Sequence, residues 1–235
     1  MNSTTTNTES AITVSQDPGV VTVIERFDMP ENLQGKAVEL AESHIARAWR
    51  NEPSFVGAAL LRCHNRGGVS CYSQWKRPSD GSPITPDAPT AAQTLAVALE
   101  MFRTTTYRRM DSRTYTLDFS KSVDGVALPS LVSLAKTPGA HFGVFSVTRE
   151  TQNHLLELAR AYGPTSLVTP GLVSINFHRS LDGKRVINLG LWSDFDHWED
   201  LNKLSDFKGD AMYWEHAVDD WQPDLFKVVA VESVN

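Results

Sequence analysis

Apolar residues recur along the chain with two different periods, and each change of period marks a new element. Stretches rich in β-branched and apolar residues, bounded by Gly and Pro, predict strands over 20–27, 53–62, 69–75 and 113–120. Apolar residues at helical spacing predict helices over 30–51 and 91–103. The resulting order is strand, helix, strand, strand, helix, strand.

The same order is predicted again in the second half of the chain. Strands are expected over 141–149, 172–179, 184–192 and 225–231, and a helix over 152–161. Ser193 is followed three residues later by Asp196, which is typical of a helix N-terminus. We therefore expect a second helix from Ser193 to about Val218.

The two predicted hairpins are copies of each other. Without a gap, five residues of the first recur 117 positions later in the second: Pro53/Pro170, Val56/Val173, Arg62/Arg179, Val69/Val186 and Trp75/Trp192. This repeat predicts two copies of one small domain that pack on each other. The predicted units are a disordered tail over 1–17, a first domain over 18–123, a linker over 124–139 and a second domain over 140–235.

Composition narrows the class of protein. Of the 235 residues, 41% are hydrophobic and 21% are charged, as in an ordinary soluble globular protein. The net charge of −6 argues against binding to nucleic acid or to an anionic membrane surface. No apolar run is long enough to span a bilayer. The polar first 17 residues do not resemble a signal peptide, and two cysteines fit a reduced compartment, so we expect a cytoplasmic protein.

One short motif carries a family resemblance. The third strand of the second copy reads Asn188-Leu-Gly-Leu-Trp192, whereas the first copy reads Cys71-Tyr-Ser-Gln-Trp75 and lacks the asparagine. Together with the order of elements, Asn-x-x-x-Trp resembles the antibiotic biosynthesis monooxygenase family, over nearly the whole chain after residue 18 and as two tandem copies. The resemblance implies an α+β fold, with two tandem ferredoxin-like domains whose antiparallel sheets pair into a pseudo-symmetric α/β barrel. The protein would then be a monomer with an internal pseudo-dimer, or a homodimer.

The resemblance also implies a reaction. It is the oxygenation of an aromatic polyketide by dioxygen, from anthrone to quinone or by hydroxylation, without a cofactor. The deprotonated substrate supplies the electrons, so the protein has to bind it, stabilise the anion and exclude water. Two other interpretations stay open: a haem-binding or haem-degrading enzyme of the same barrel superfamily, and a non-catalytic or cyclase-like protein that binds a polyketide.

Three residues of the second copy are candidates for catalysis. Asn188 and Trp192 are four apart on one predicted strand, so they share a face with Gly190, which leaves room for a ligand. His178 is the candidate base, with His141 as the second candidate, because an imidazole titrates near neutral pH. The structural alternative is that Trp192 lies in the core, that Asn188 is a satisfied buried amide and that His178 has no catalytic role.

Aromatic residues are the candidates for binding a flat substrate. They are Trp198, Tyr213 and Trp214 of the second copy, and Tyr72 and Trp75 of the first. For each of them, packing in the core is the alternative. No metal site is predicted, because the seven histidines show no ligand spacing. A haem would need His197 or His216 as its ligand.

Overall fold

The computed structural model of the chain describes residues 11–78, 93–99, 108–203 and 224–234. The strands in this part are β1 (Ala11–Thr13), β2 (Val20–Asp28), β3 (Phe55–Cys63), β4 (Val69–Lys76), β5 (Arg108–Ser122), β6 (Leu131–Ser133), β7 (Gly139–Ser146), β8 (Leu172–Ser180), β9 (Arg185–Trp192) and β10 (Asp224–Ser233). The α-helices are α1 (Glu31–Arg47), α2 (Ala96–Leu99) and α3 (Gln152–Tyr162). Short 3-10 helices lie at Trp49–Asn51, Gly163–Val168 and Trp198–Lys203.

Eight strands close into an antiparallel barrel in the order β10-β3-β4-β2-β5-β8-β9-β7. We call β3-β4-β2-β5 the first sheet and β8-β9-β7-β10 the second sheet; their strand order is the same. The pairs β5–β8 and β10–β3 join the two sheets. The α+β barrel predicted from the sequence is confirmed.

Successive side chains along each strand point alternately into the barrel interior and to the outer face. On β9, Ile187 and Leu189 belong to the interior cluster, where they pack together with Phe142 of β7. Val186 and Trp192 of the same strand belong instead to a cluster with the buried residues of α3. A residue of β9 therefore faces either the barrel interior or the helix layer, according to its parity.

The helices cover the outer faces of the two sheets. The apolar stripe of α1 packs on the first sheet through Ala37, Ala41 and Ile45. The stripe of α3 packs on the second sheet through Leu155 and Leu156. Within the described residues, no helix is both long and apolar enough to cross a membrane.

The predicted disordered tail is wrong from residue 11 onward. Strand β1 pairs antiparallel with β6, which lies in the predicted linker. Ile12, Val14 and Val132 are buried and pack against the barrel interior. Two apolar residues in a stretch rich in Ser and Thr are too short a signal for a strand, because the partner strand is more than 100 residues away in the sequence. Residues 1–10 lie outside the described part.

The α-helix predicted from Ser193 does not begin there. The Ser193 hydroxyl contacts the carbonyl of Gly171 and the carboxylate of Asp194, and no backbone N–H of the described residues donates to it as at an N-cap. The chain then turns through the 3-10 helix at Trp198–Lys203. The remainder of the predicted helix and the segment that follows it, residues 204–223, lie outside the described residues.

Candidate active site

Asn188, Gly190 and Trp192 share the outer face of β9, as the sequence predicts. Across the ladder, Gly190 is paired with His141 of β7, and Asn188 is paired with Gly143. A Cβ atom added to Gly190 would overlap the imidazole ring of His141. The imidazole of His141 therefore occupies the space that a side chain at position 190 would fill.

The imidazole of His141 is held by the indole of Trp192. The Trp192 Nε1–H donates to His141 Nδ1 at 2.7 Å. Because Nδ1 accepts this bond, the proton of the neutral imidazole lies on Nε2. Burial lowers the pKa of His141 to about 3, so the ring is neutral at physiological pH and Nε2–H is a donor. No described residue accepts a hydrogen bond from this Nε2.

The amide of Asn188 is satisfied at its oxygen only. Its Oδ1 accepts the backbone N–H of Asn176 at 3.2 Å, and the residue is 8% exposed. The part of the chain that the structure describes supplies no acceptor for the Asn188 Nδ2 group. His141 lies diagonally across the ladder from Asn188, and such neighbours have Cα atoms about 7 Å apart. Two neutral donors thus lie on the same face of the β7–β9 pair.

Aromatic rings surround the His141–Trp192 pair. The Trp198 ring centroid lies 5.3 Å from that of His141 and 5.5 Å from that of Trp192. Phe195 lies 6.0 Å from Trp192 and is stacked at 6.2 Å on His64, a residue that directly follows β3 of the first sheet. The structure therefore brings together Asn188, Trp192 and Trp198 with His141, the second candidate base of the sequence. It adds Phe195, which was not a candidate.

His178 and Tyr72 lie elsewhere, inside the barrel. His178 Nδ1 donates to the backbone carbonyl of Asn176 at 3.0 Å, so its Nε2 accepts the Tyr72 hydroxyl at 3.2 Å. Both side chains are fully buried. Burial lowers the pKa of His178 to about 4 and raises that of Tyr72 to about 12. His178 shares the inner face with Ile187, whereas Asn188 lies on the outer face, so the structure does not bring the candidate base to Asn188 and Trp192.

The matched face of the first sheet is filled by side chains. Cys71, Ser73 and Trp75 stand where Asn188, Gly190 and Trp192 stand in the second sheet. Trp75 donates to the Ser73 hydroxyl at 2.9 Å, and its ring lies 5.1 Å from that of Trp49. Both tryptophans are buried in the cluster under α1. Trp75 thus packs in the core, which was the alternative to its binding a substrate.

Cys71 is a buried thiol. It is fully buried opposite Glu25 of β2. Burial raises the pKa of Cys71 well above its ordinary value, and the nearby charge of Glu25 raises it further. The thiolate, which is the reactive form, is therefore disfavoured at neutral pH.

The remaining candidates are remote from this face or outside the described residues. His197, one of the two candidate haem ligands, is exposed and contacts Asp200 through Nδ1 at 3.1 Å. Tyr213, Trp214 and His216 lie outside the described part of the chain. Among the described residues, no group of three His, Cys, Asp or Glu side chains could hold a metal ion.

Solved structures share this barrel. An anthrone oxidase-like protein superposes with a TM-score of 0.69 and 18% identity, covering 95% of this chain and 96% of its own. A candidate monooxygenase of Fusobacterium nucleatum superposes with a TM-score of 0.59 and 10% identity, covering 91% and 94%. A candidate chlorite dismutase gives a TM-score of 0.56 at 13% identity, covering 90% and 95%.

These likenesses establish the fold. At such low identities they leave the activity open, because one fold hosts many functions. The sequence matches no protein-family model and no curated protein.

Lowering the pH from 7 to 5 is expected to destabilise the fold by about 2 kcal/mol for each of His141 and His178. In the unfolded chain both imidazoles have the ordinary pKa and take up a proton in this interval, whereas in the folded chain burial keeps them neutral. The stability present above pH 6.5 is therefore lost as the pH falls towards the native pKa values. Urea unfolding at pH 7, 6 and 5 measures the loss. His178→Gln should reduce it by roughly half, and an unchanged stability of the wild type between pH 7 and 5 would contradict the prediction.

Proposed function

We propose that the protein is an oxygenase that uses dioxygen, without a bound cofactor, to oxidise an aromatic polyketide of the anthrone type. The observation that carries this proposal is a pair of donors, Asn188 Nδ2 and His141 Nε2, that no described residue accepts from and that lie on the face of β9 beside Trp192 and Trp198. Flat rings are favoured there by stacking and edge contacts. Oxygen atoms of the ring system can accept from these donors.

The donors suit the anion of such a substrate. An anthrone that loses a proton becomes an enolate, with negative charge on its oxygen. Neutral N–H groups fixed in a water-poor site stabilise that charge without having to reorient. His141 contributes as a donor rather than as the base, since an imidazole with a pKa of about 3 is a weak proton acceptor at neutral pH.

The chemistry after deprotonation belongs to the substrate. The proton of the anthrone passes to solvent, and the enolate transfers one electron to dioxygen. The resulting radical and superoxide combine to a peroxide anion at the methylene carbon, which takes a proton back from solvent to give the hydroperoxide. Loss of water from the hydroperoxide leaves a ketone, so one CH₂ group and one O₂ molecule give one C=O group and one water. The protein contributes by holding the planar rings, stabilising the oxyanion and excluding solvent.

Asymmetry between the sheets supports a single site. The donors lie on the second sheet, whereas the matched face of the first sheet is packed with Trp49, Trp75 and Leu95. The repeated strand order and the repeated hairpin sequence fit the proposal that the chain is two tandem copies of one domain. In that account the first copy has kept the fold and lost the asparagine.

Dioxygen uptake in the presence of an anthrone tests the proposed function. Purified protein should consume dioxygen and form the anthraquinone, the rate should survive dialysis against a chelator, and product should not form under anaerobic conditions. A chelator-sensitive rate that a metal restores would contradict the proposal. A Soret band in active protein would favour the haem enzyme instead, and binding of the anthrone without turnover would favour the non-catalytic or cyclase-like protein.

A further inference from the structure

A concave feature lies beside the candidate active site. It is a cleft of about 160 Å³ between the start of α1 and the outer face of β3 and β10. We call it the basic cleft. The side chains that line it are Glu31, Gln34, Arg62, Cys63, His64, Arg66 and Lys227.

Two of the cations in the basic cleft are directly opposed. Arg62 of β3 and Lys227 of β10 are cross-strand partners in the antiparallel ladder. Like charges in this position repel each other. Neither side chain forms an ion pair with a described residue. An anion placed between them would turn this repulsion into two attractive contacts.

Other residues fix the shape of the basic cleft. Arg66 is bound to the carboxylate of Asp224 through Nη2 at 2.5 Å and to Asp28 through Nη1 at 3.0 Å, so its charge is already compensated. Gln34 is buried, and its Nε2 donates to the carbonyls of Cys63, Arg66 and Gly68. The floor is therefore rigid, and Arg62 and Lys227 are left to meet a ligand. Glu31, exposed at the rim, is the acidic side chain of the lining.

The basic cleft and the candidate active site share a wall. His64 lines the cleft and stacks on Phe195, whose ring packs against Trp192. Lys227 is also the cross-strand partner of Gly139 on β7, which is paired on its other side with Trp192. The basic cleft and the face of β9 at Trp192 are therefore neighbours, with Phe195 and His64 between them.

We propose that the basic cleft binds an anionic group, a carboxylate or phosphate, carried by the aromatic substrate. This proposal rests on the proposed function, because it places the rings of the same ligand on the outer face of β9. Arg62 offers a planar donor fork that suits both kinds of oxyanion, and Lys227 adds a point charge. His64 lies between the two parts of the ligand.

The affinities of two ligands test the proposal. Anthraquinone-2-carboxylate and an uncharged hydroxyanthraquinone are titrated against the full chain, with tryptophan fluorescence as the readout. We expect the carboxylate to bind about tenfold more tightly than the uncharged ligand at low salt, and Arg62→Gln/Lys227→Gln to remove that difference. The double variant should leave the affinity for the uncharged ligand unchanged. The matched control, Lys76→Gln/Lys121→Gln, removes two exposed lysines outside the cleft and should change neither affinity.

Inorganic phosphate tests the basic cleft apart from the aromatic site. It should shift the NMR signals of the His64 imidazole in the wild type and not in the double variant. If phosphate shifts these signals and neither anthraquinone binds, the cleft is an anion site and the proposed function fails. If phosphate binds but the carboxylated anthraquinone binds no more tightly than the uncharged one, the cleft binds a free anion. Our assignment of the anionic group to the substrate is then overturned. The anion site itself is overturned if the double variant responds like the wild type.

Discussion

Asn188→Asp is expected to lower kcat by about 100-fold, the effect of removing one donor from a site that stabilises an oxyanion. The carboxylate keeps an oxygen that can accept the backbone N–H of Asn176, as Asn188 Oδ1 does at 3.2 Å, so the fold is retained. It replaces the Nδ2 donor by a second oxygen, which repels an enolate. Steady-state kinetics with an anthrone, beside the thermal midpoint, measures the effect.

Cys71 supplies the matched control for this variant. Cys71→Ala changes the corresponding position of the first sheet, where a buried thiol is packed against apolar neighbours. It should cost about 1 kcal/mol of stability, typical of a single substitution, and leave kcat unchanged. If Cys71→Ala abolishes turnover in folded protein while Asn188→Asp stays active, the site lies on the first sheet.

Trp192→Phe is expected to lower kcat by about tenfold, which corresponds to the loss of one hydrogen bond of about 1.4 kcal/mol. Phenylalanine keeps an aromatic wall and removes the N–H that donates to His141 Nδ1 at 2.7 Å. The imidazole is then free to carry its proton on either nitrogen. The ¹⁵N chemical shifts of His141 report the tautomer directly, and they should show Nε2–H in the wild type and a mixture in the variant.

Trp75→Phe is the corresponding change in the first sheet. It removes the hydrogen bond to the Ser73 hydroxyl in the core under α1 and should lower stability without changing kcat or the His141 shifts. An unchanged tautomer in Trp192→Phe together with a tenfold loss of kcat would show that Trp192 acts by packing and not by positioning His141.

Strand parity explains which part of the site could be predicted from the sequence. Residues 188, 190 and 192 lie at intervals of two, so their common face follows from strand geometry alone. The pairing of Gly190 with His141 depends on the register between two strands that are far apart in the sequence. His141 was therefore only one of two candidate histidines, and its role as a fixed donor could not be predicted.

Contacts between strands that are distant in the sequence also account for the other differences between the predicted and the observed structure. The sequence around His178 does not show which face of β8 lies inside the barrel. The inner face is set by barrel closure through the β5–β8 pair. The strand at Ala11–Thr13 exists because β6 pairs with it, and its own residues give a weak signal. The barrel itself was predictable through the family resemblance, which rests on the repeated order of elements and on the Asn-x-x-x-Trp motif.

The indole N–H signals of the six tryptophans offer the most direct test of where the substrate binds. A hydroxylated anthraquinone is added to ¹⁵N-labelled protein, and each indole signal is assigned by single Trp→Phe variants. We expect the signals of Trp192 and Trp198 to shift and those of Trp49 and Trp75 to stay in place. Shifts of Trp49 and Trp75 with unmoved Trp192 and Trp198 would contradict a site on the outer face of β9.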